Sequence, residues 1–165
     1  MHLVIKELVI KIIMKKTILI LVGILSICGG YYYRYTQSDK KLLIDFAYEM
    51  VDNNVNINDI ATKYIKYNKL GKEIAVLLLE HYRKGYHKND SDVSIKVYSY
   101  QEAIKSGKEI GNVSENYNYN KVFFIYLNDK VKIPILLNDE SKIIAISFGL
   151  DKGGSINYFM RLDGE

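Results

Sequence analysis

The sequence predicts an α+β domain behind an apolar N-terminal segment, with three helices packed on one face of a curved antiparallel sheet of four to five strands. Apolar residues recur at helical spacing from Lys40 to Lys84, and the period changes to two after Asp92. Short apolar runs separated by turn residues then follow from Lys121 to Leu162. With 165 residues, 48% of them hydrophobic and 25% charged, a single core is expected.

The first element is the uncharged stretch from Thr17 to Tyr33, which follows Lys15-Lys16 and precedes Arg34. It lacks the polar face that a helix on a soluble core would need. A spanning helix needs about 20 apolar residues, and this run comes close when its tyrosines sit at headgroup level. As a secretory signal, Met14-Lys15-Lys16 forms the n-region and Thr17 to Ile27 the h-region. Leu25-Ser26-Ile27-Cys28-Gly29-Gly30 resembles the lipobox of bacterial lipoproteins, which implies lipidation at Cys28, although Ile27 stands where that family has a small residue. Anchor and lipoprotein both leave lysines inside and the domain on the extracytoplasmic side. Residues Met1 to Ile13 are either an upstream stretch before a true start at Met14 or an amphipathic helix on the inner leaflet. The expected organisation is 1–33 signal peptide or membrane anchor, 34–39 linker and 40–165 extracytoplasmic domain.

Three helices come next. Leu42, Leu43, Phe46, Ala47, Met50 and Val51 predict a helix from Lys40 to Asp52, with Ser38 or Asp39 as cap. Ile57, Ile60, Ala61, Tyr64 and Ile65 predict a second from Ile57 to Lys66, capped by Asn56. Leu70, Ile74, Leu77, Leu78 and Tyr82 predict a third from Leu70 to Lys84, stopped by Gly85, whose all-round apolar run Ala75 to Leu79 makes it the most buried of the three.

Val93, Ile95 and Val97 alternate with Ser94, Lys96 and Tyr98, the pattern of a strand. A short helix at Gln101 to Lys105, ended by Gly107, leads into a long loop from Lys108 to Asn120. A meander of strands follows at Lys121 to Leu127, Val131 to Leu137, Lys142 to Phe148 and Ser155 to Leu162, with Asn128-Asp129 and Asp151-Lys152-Gly153-Gly154 among its turns. Pro134 cannot donate to a ladder, so its strand needs a bulge or an edge position there. In order of elements, Lys40 to Leu162 is broadly similar to the nuclear-transport-factor-2-like fold, which implies helices closing a curved sheet around a pocket.

The chain offers no catalytic signature. Gly107-Lys108-Glu109-Ile110-Gly111 lacks the strand-to-helix setting of a phosphate loop, and Cys28, the one cysteine, lies in the apolar segment. His81, His87, Asp90 and Asp92 form the best titratable cluster, but histidines six apart point to different sides of a helix and also suit its C-terminal dipole, so no metal is expected. Asp45, Glu49 and Asp52 make one stripe opposite the apolar face, as solvated carboxylates do. No cofactor is expected. Of 23 basic and 19 acidic residues, four lysines and one glutamate precede Arg34, leaving 19 and 18 in the domain. That balance lacks the basic stripe of a nucleic-acid binder.

The remaining signals concern contact. Tyr98, Tyr100, Tyr117 and Tyr119, among 15 tyrosines, flank or occupy the long loop, and tyrosine is enriched at binding surfaces. Lys121 to Leu127 is apolar on both faces, with Phe123 and Ile125 on one side, so the long loop, a ligand or a partner must cover the second face. The expectation is a non-enzymatic, membrane-tethered protein-binding module of the bacterial envelope, of immunity or inhibitor type, using these tyrosines with Phe123 and Ile125. A small-ligand carrier or enzyme would instead need Tyr126, Ser147, Tyr158 or Arg161 to converge on a pocket. A structural part of an envelope complex is the third possibility. The full-length product is expected to sediment with membranes on cell fractionation, and its recovery as free cytosolic protein would overturn the envelope placement.

Overall fold

Residues 17, 20, 36–86, 94–149 and 156–164 are described by the structure, a computed structural model of the chain. Asp39 to Glu165 form one compact α+β unit. The apolar run from Thr17 to Tyr33, Cys28 included, lies outside the described residues except for Thr17 and Ile20. No helix among the described residues is long and apolar enough to cross a membrane.

Helix α1 spans 36–51, starting earlier than the sequence suggested. Neither Ser38 nor Asp39 caps it, since both lie within it. Leu43, Phe46, Ala47 and Met50 are fully buried along one stripe, which makes α1 the helix most enclosed by the core. Helix α2, Ile57–Tyr64, begins as expected: the Asn56 side chain accepts from the Asn58 N–H at 2.8 Å.

Helix α3 runs Lys69–Tyr86, straight through Gly85. Of the residues expected inward, Ile74, Leu78 and Tyr82 pack against the main core, whereas Leu70 and Leu77 do not. Gly71, Ala75, Leu79 and Tyr86 are buried, while Leu70 and Leu77 are each 65% exposed. The cause is a close backbone approach: a Cβ on Gly71 would lie 1.8 Å from the Leu162 carbonyl oxygen. Small residues therefore face the chain at the start of α3, and the bulkier leucines turn away. Arg83 joins α3 to α1, its guanidinium donating to the carbonyls of Met50 at 2.7 Å, Val55 at 3.0 Å and Glu49 at 3.3 Å. Two of these acceptors lie in the last turn of α1, where a cation offsets the helix dipole. Burial pulls the guanidinium pKa below its ordinary value, against the nearby Asp52 and Glu80 carboxylates.

The sheet has four strands in sequential antiparallel order: β1 (Ile95–Ser99), β2 (Val122–Leu127), β3 (Val131–Leu137) and β4 (Ile143–Ala145). Helix α4 (Tyr100–Lys105) follows β1 directly, opened by a capping box in which Ser99 and Glu102 bond reciprocally. A short 3₁₀ turn, Tyr119–Lys121, leads into β2. Asn128 and Asp129, both at positive φ, turn β2 into β3. The last expected strand, Ser155 to Leu162, is not a member of the sheet. Within it, Asn157 and Phe159 make isolated bridges to Val113 and Phe148, and the preceding turn lies outside the described residues. Strand β4 is correspondingly shorter than expected.

Pro134 pairs with Phe124 on β2, and β4 reaches only as far as Leu136, with a bulge between Leu136 and Leu137. The missing donor thus falls where β3 has no named strand on that side, which resolves the conflict posed by the sequence.

Phe123, Ile125, Leu127, Ile133 and Ile135 join residues of α1, α2 and α3 in the main core. Val122, Phe124, Tyr126 and Leu136, from the opposite side, form a second cluster with Ala103, Ile110, Val113 and Phe159. A buried polar contact joins α1 to the sheet. Asp39 of α1, 1% exposed in its side chain, pairs with Lys121, 6% exposed, at 3.2 Å and accepts from Ser141 Oγ at 2.5 Å. Removing one member of such a buried pair takes the compensating charge from the other. Asp39→Ala is expected to lower unfolding free energy by about 3–5 kcal/mol, and Asp39→Leu with Lys121→Met by clearly less, measured by urea denaturation.

Candidate functional site

The second face of the sheet is where the sequence placed the contact surface, and the structure covers it with the chain's own residues. The long loop returns over β2, held by the Ser114 N–H on the Asn157 carbonyl at 3.1 Å and the Asn157 N–H on the Asn112 carbonyl at 2.6 Å. Phe148, Phe159 and Tyr117 make an aromatic chain there, Phe148 tilted on Phe159 at 4.9 Å and Phe159 edge-on to Tyr117 at 5.2 Å. Tyr117 Oη also accepts from the Phe159 N–H at 2.9 Å. Tyr100 and Tyr119 stack at 4.3 Å with rings 7° from parallel, and Tyr119 Oη donates to the Val113 carbonyl at 3.3 Å. Tyr98 meets Tyr126 edge to face at 5.6 Å.

The six expected surface residues therefore divide. Tyr98, Tyr100, Tyr117 and Tyr119 are half-buried and rim the second cluster. Phe123 and Ile125 have no exposed surface, because they face the helices in the main core, and they are not available to a partner. The cover left open by the sequence is the loop together with α4 and the 156–164 segment.

A polar group sits at the hairpin end of this face. Asp129 binds Lys96 at 2.6 Å and Lys108 at 3.2 Å, and these two ammonium groups hold its carboxyl below the usual range. Lys108 Nζ also lies 4.9 Å from the Tyr126 ring centroid and 5.5 Å from that of Tyr98. Lys132 donates to the Glu109 carbonyl at 2.9 Å. Tyr126 is 7% exposed, and its hydroxyl finds no hydrogen-bond partner among the described residues. Burial pushes its pKa up, against the nearby Lys108.

The polar groups a ligand pocket would require do not meet. Ser147 donates to the carbonyl of Phe148 at 3.0 Å, Arg161 holds Asp163 at 2.6 Å and Tyr158 is 50% exposed. Of the histidine cluster only His81 is described, and it is exposed. No group of ligands able to hold a metal occurs among the described residues.

Glu49 departs from the expected solvated stripe. It bridges α1 to α2, accepting from Lys63 at 2.6 Å and Tyr64 Oη at 2.9 Å. Its carboxylate, with the Tyr64 hydroxyl, pushes the Lys63 pKa up to about 12. Between α2 and α3 an open groove of about 360 Å³ is lined by Asn58, Lys72, Glu73, Val76 and Leu77. A smaller one, about 200 Å³, is lined by Lys40, Val97, Tyr98, Glu102 and Ser106. An ion pair between Lys40 and Glu102 crosses it. Partial burial raises the Glu102 carboxyl, but Lys40 and the Ser99 amide and hydroxyl outweigh it and leave the pKa below the ordinary value.

A buried hydroxyl without a partner costs desolvation and returns nothing. Tyr126→Phe is expected to be neutral or stabilising by up to about 1 kcal/mol in thermal unfolding, whereas a comparable loss would mean that the phenol is bonded in solution. No protein-family model matches this chain, and no curated protein or solved structure matches it either.

Proposed function

We propose that this chain is a non-enzymatic protein-binding module, held at the extracytoplasmic side of a bacterial membrane by its N-terminal apolar segment. The observation that carries this reading is that both faces of β2 are closed by the chain itself, at zero exposure for Val122 to Ile125. A carrier or enzyme of the nuclear-transport-factor-2-like kind keeps space between sheet and helices, and here that space is filled by Phe46, Met50, Phe123 and Ile133. The likeness to that fold thus rests on the order of elements. The grooves outside the core are open, and the larger is mainly apolar at Val76 and Leu77. Such surface features suit contact with another macromolecule better than enclosure of a small one.

The membrane part of the proposal rests on the uncharged run behind Lys15-Lys16. A role in immunity or inhibition fits a small tethered domain that acts by occupying a partner. The test is crosslinking in intact cells followed by capture of the full-length chain from detergent-solubilised membranes. The expected result is a defined protein partner recovered in stoichiometric amount. Capture of nothing, together with saturable binding of a small molecule to the purified chain, would replace this reading with the carrier.

A further inference from the structure

The two edges of the sheet are treated differently. Beyond β4, Ile65 forms a parallel bridge with Ile143, and the Lys66 N–H donates to the Ile143 carbonyl at 2.8 Å, so the segment after α2 covers that side. At the other side β1 pairs only with β2 among the described residues. An uncovered edge is a template for another strand unless something blunts it.

Which groups β1 offers follows from the register. The Asn128 N–H donates to the Ser94 carbonyl at 2.8 Å, which makes Ser94 and Asn128 a hydrogen-bonded pair. Antiparallel ladders alternate bonded and non-bonded pairs. Lys96 with Tyr126 and Tyr98 with Phe124 are then bonded pairs, while Ile95, Val97 and Ser99 turn their backbone groups away from β2. The same alternation carried to β3 makes Phe124 with Pro134 a non-bonded pair, as proline requires. The outward Ser99 N–H is taken by Glu102 at 2.8 Å. The N–H and C=O groups of Ile95 and Val97 are left facing out, beside the groove bounded by Lys40, Glu102 and Ser106.

We propose that the outer edge of β1 accepts an extended strand from a partner protein, with an acidic side chain opposite Lys96 and apolar side chains continuing the row of Ile95 and Val97. This inference rests on the protein-binding reading above and names its site. Only another extended backbone presents donors and acceptors at the spacing of Ile95 and Val97. The acidic position follows from charge: Lys96, Lys108 and Lys132 stand on that face with the carboxylates of Asp129 and Glu109, which leaves one positive charge over. The same charge argues against a second copy. The symmetric register that uses all four outward groups would set Lys96 directly against Lys96 of the other copy, a destabilising like-charge pair.

The test is residue-resolved hydrogen exchange on the full chain in detergent, with blocked heptapeptides alternating valine with glutamate or valine with lysine as probes. Without peptide, the Ile95 and Val97 amides should exchange fast beside slow Lys96 and Tyr98. The valine–glutamate peptide at about ten times its Kd should slow Ile95 and Val97 by about tenfold and leave Lys96 and Tyr98 unchanged. The valine–lysine peptide should do neither, and Lys96→Glu should reverse the preference. Val97→Pro, which removes an outward donor and no ladder bond, should abolish protection. Equal effects of the two peptides, no protection by either, or slow Ile95 and Val97 exchange in the free monomer would overturn the proposal. Protection that rises with protein concentration alone would overturn it in favour of a second copy. If Val97→Pro still captures the partner from membranes, this site is wrong while the binding reading stands.

Discussion

Apolar burial drives this chain together without saying which helix turn should meet which strand. That choice falls to a few directional contacts, and the deepest is the Asp39–Lys121 pair with Ser141. It joins the start of α1 to the entry of β2 and to the turn between β3 and β4, three elements far apart in the chain. A misdocked α1 would bury a carboxylate away from its ammonium, so wrong arrangements are penalised more than the right one is favoured. The next residue extends the constraint. Lys40 reaches Glu102 on α4, so adjacent side chains tie one helix to both layers of the domain.

Once α1 is placed, the other helices have little freedom. Arg83 fastens α3 to the end of α1, and Glu49 fastens α2 through Lys63 and Tyr64. The three-layered result, helices on one side of the sheet and loop with α4 on the other, closes both faces of β2. The open features lie at the margins: the rim of half-buried tyrosines, the groove beside α3 and the outer side of β1. The aromatic rings that looked like a contact surface in the sequence are held by one another and by backbone groups, so the loop packs as a layer of its own.

Much of this was legible in the sequence because the patterns are local. The cap at Asn56, the turn at Asn128 and Asp129 and the alternation of β3 are properties of a few consecutive residues. The same holds for the apolar stripe of α1. The half-burial of the tyrosines at 98 and 117 was not legible, because the rings that pack on them, Tyr126 and Phe159, stand elsewhere in the chain. On α3 the sequence places Ile74, Leu78 and Tyr82 correctly against the core, but hydrophobicity also points Leu70 and Leu77 inward, where the approach of Leu162 to Gly71 turns them out. Asp39 could have been found. It lies four residues before Leu43 and seven before Phe46, on the buried stripe rather than off it, and an acidic residue there demands a cationic partner.

The 156–164 segment works on both sides of the sheet at once, with Phe159 in the aromatic layer and Leu162 in the main core beside Gly71. Neither layer can therefore finish during synthesis before these residues leave the ribosome. The hairpin of β2 and β3 can form early from neighbouring residues, but Phe124 and Phe148 stay wet until Phe159 arrives. Completion of both layers is thus coupled to one short segment, so the two sides of the sheet close in the same step.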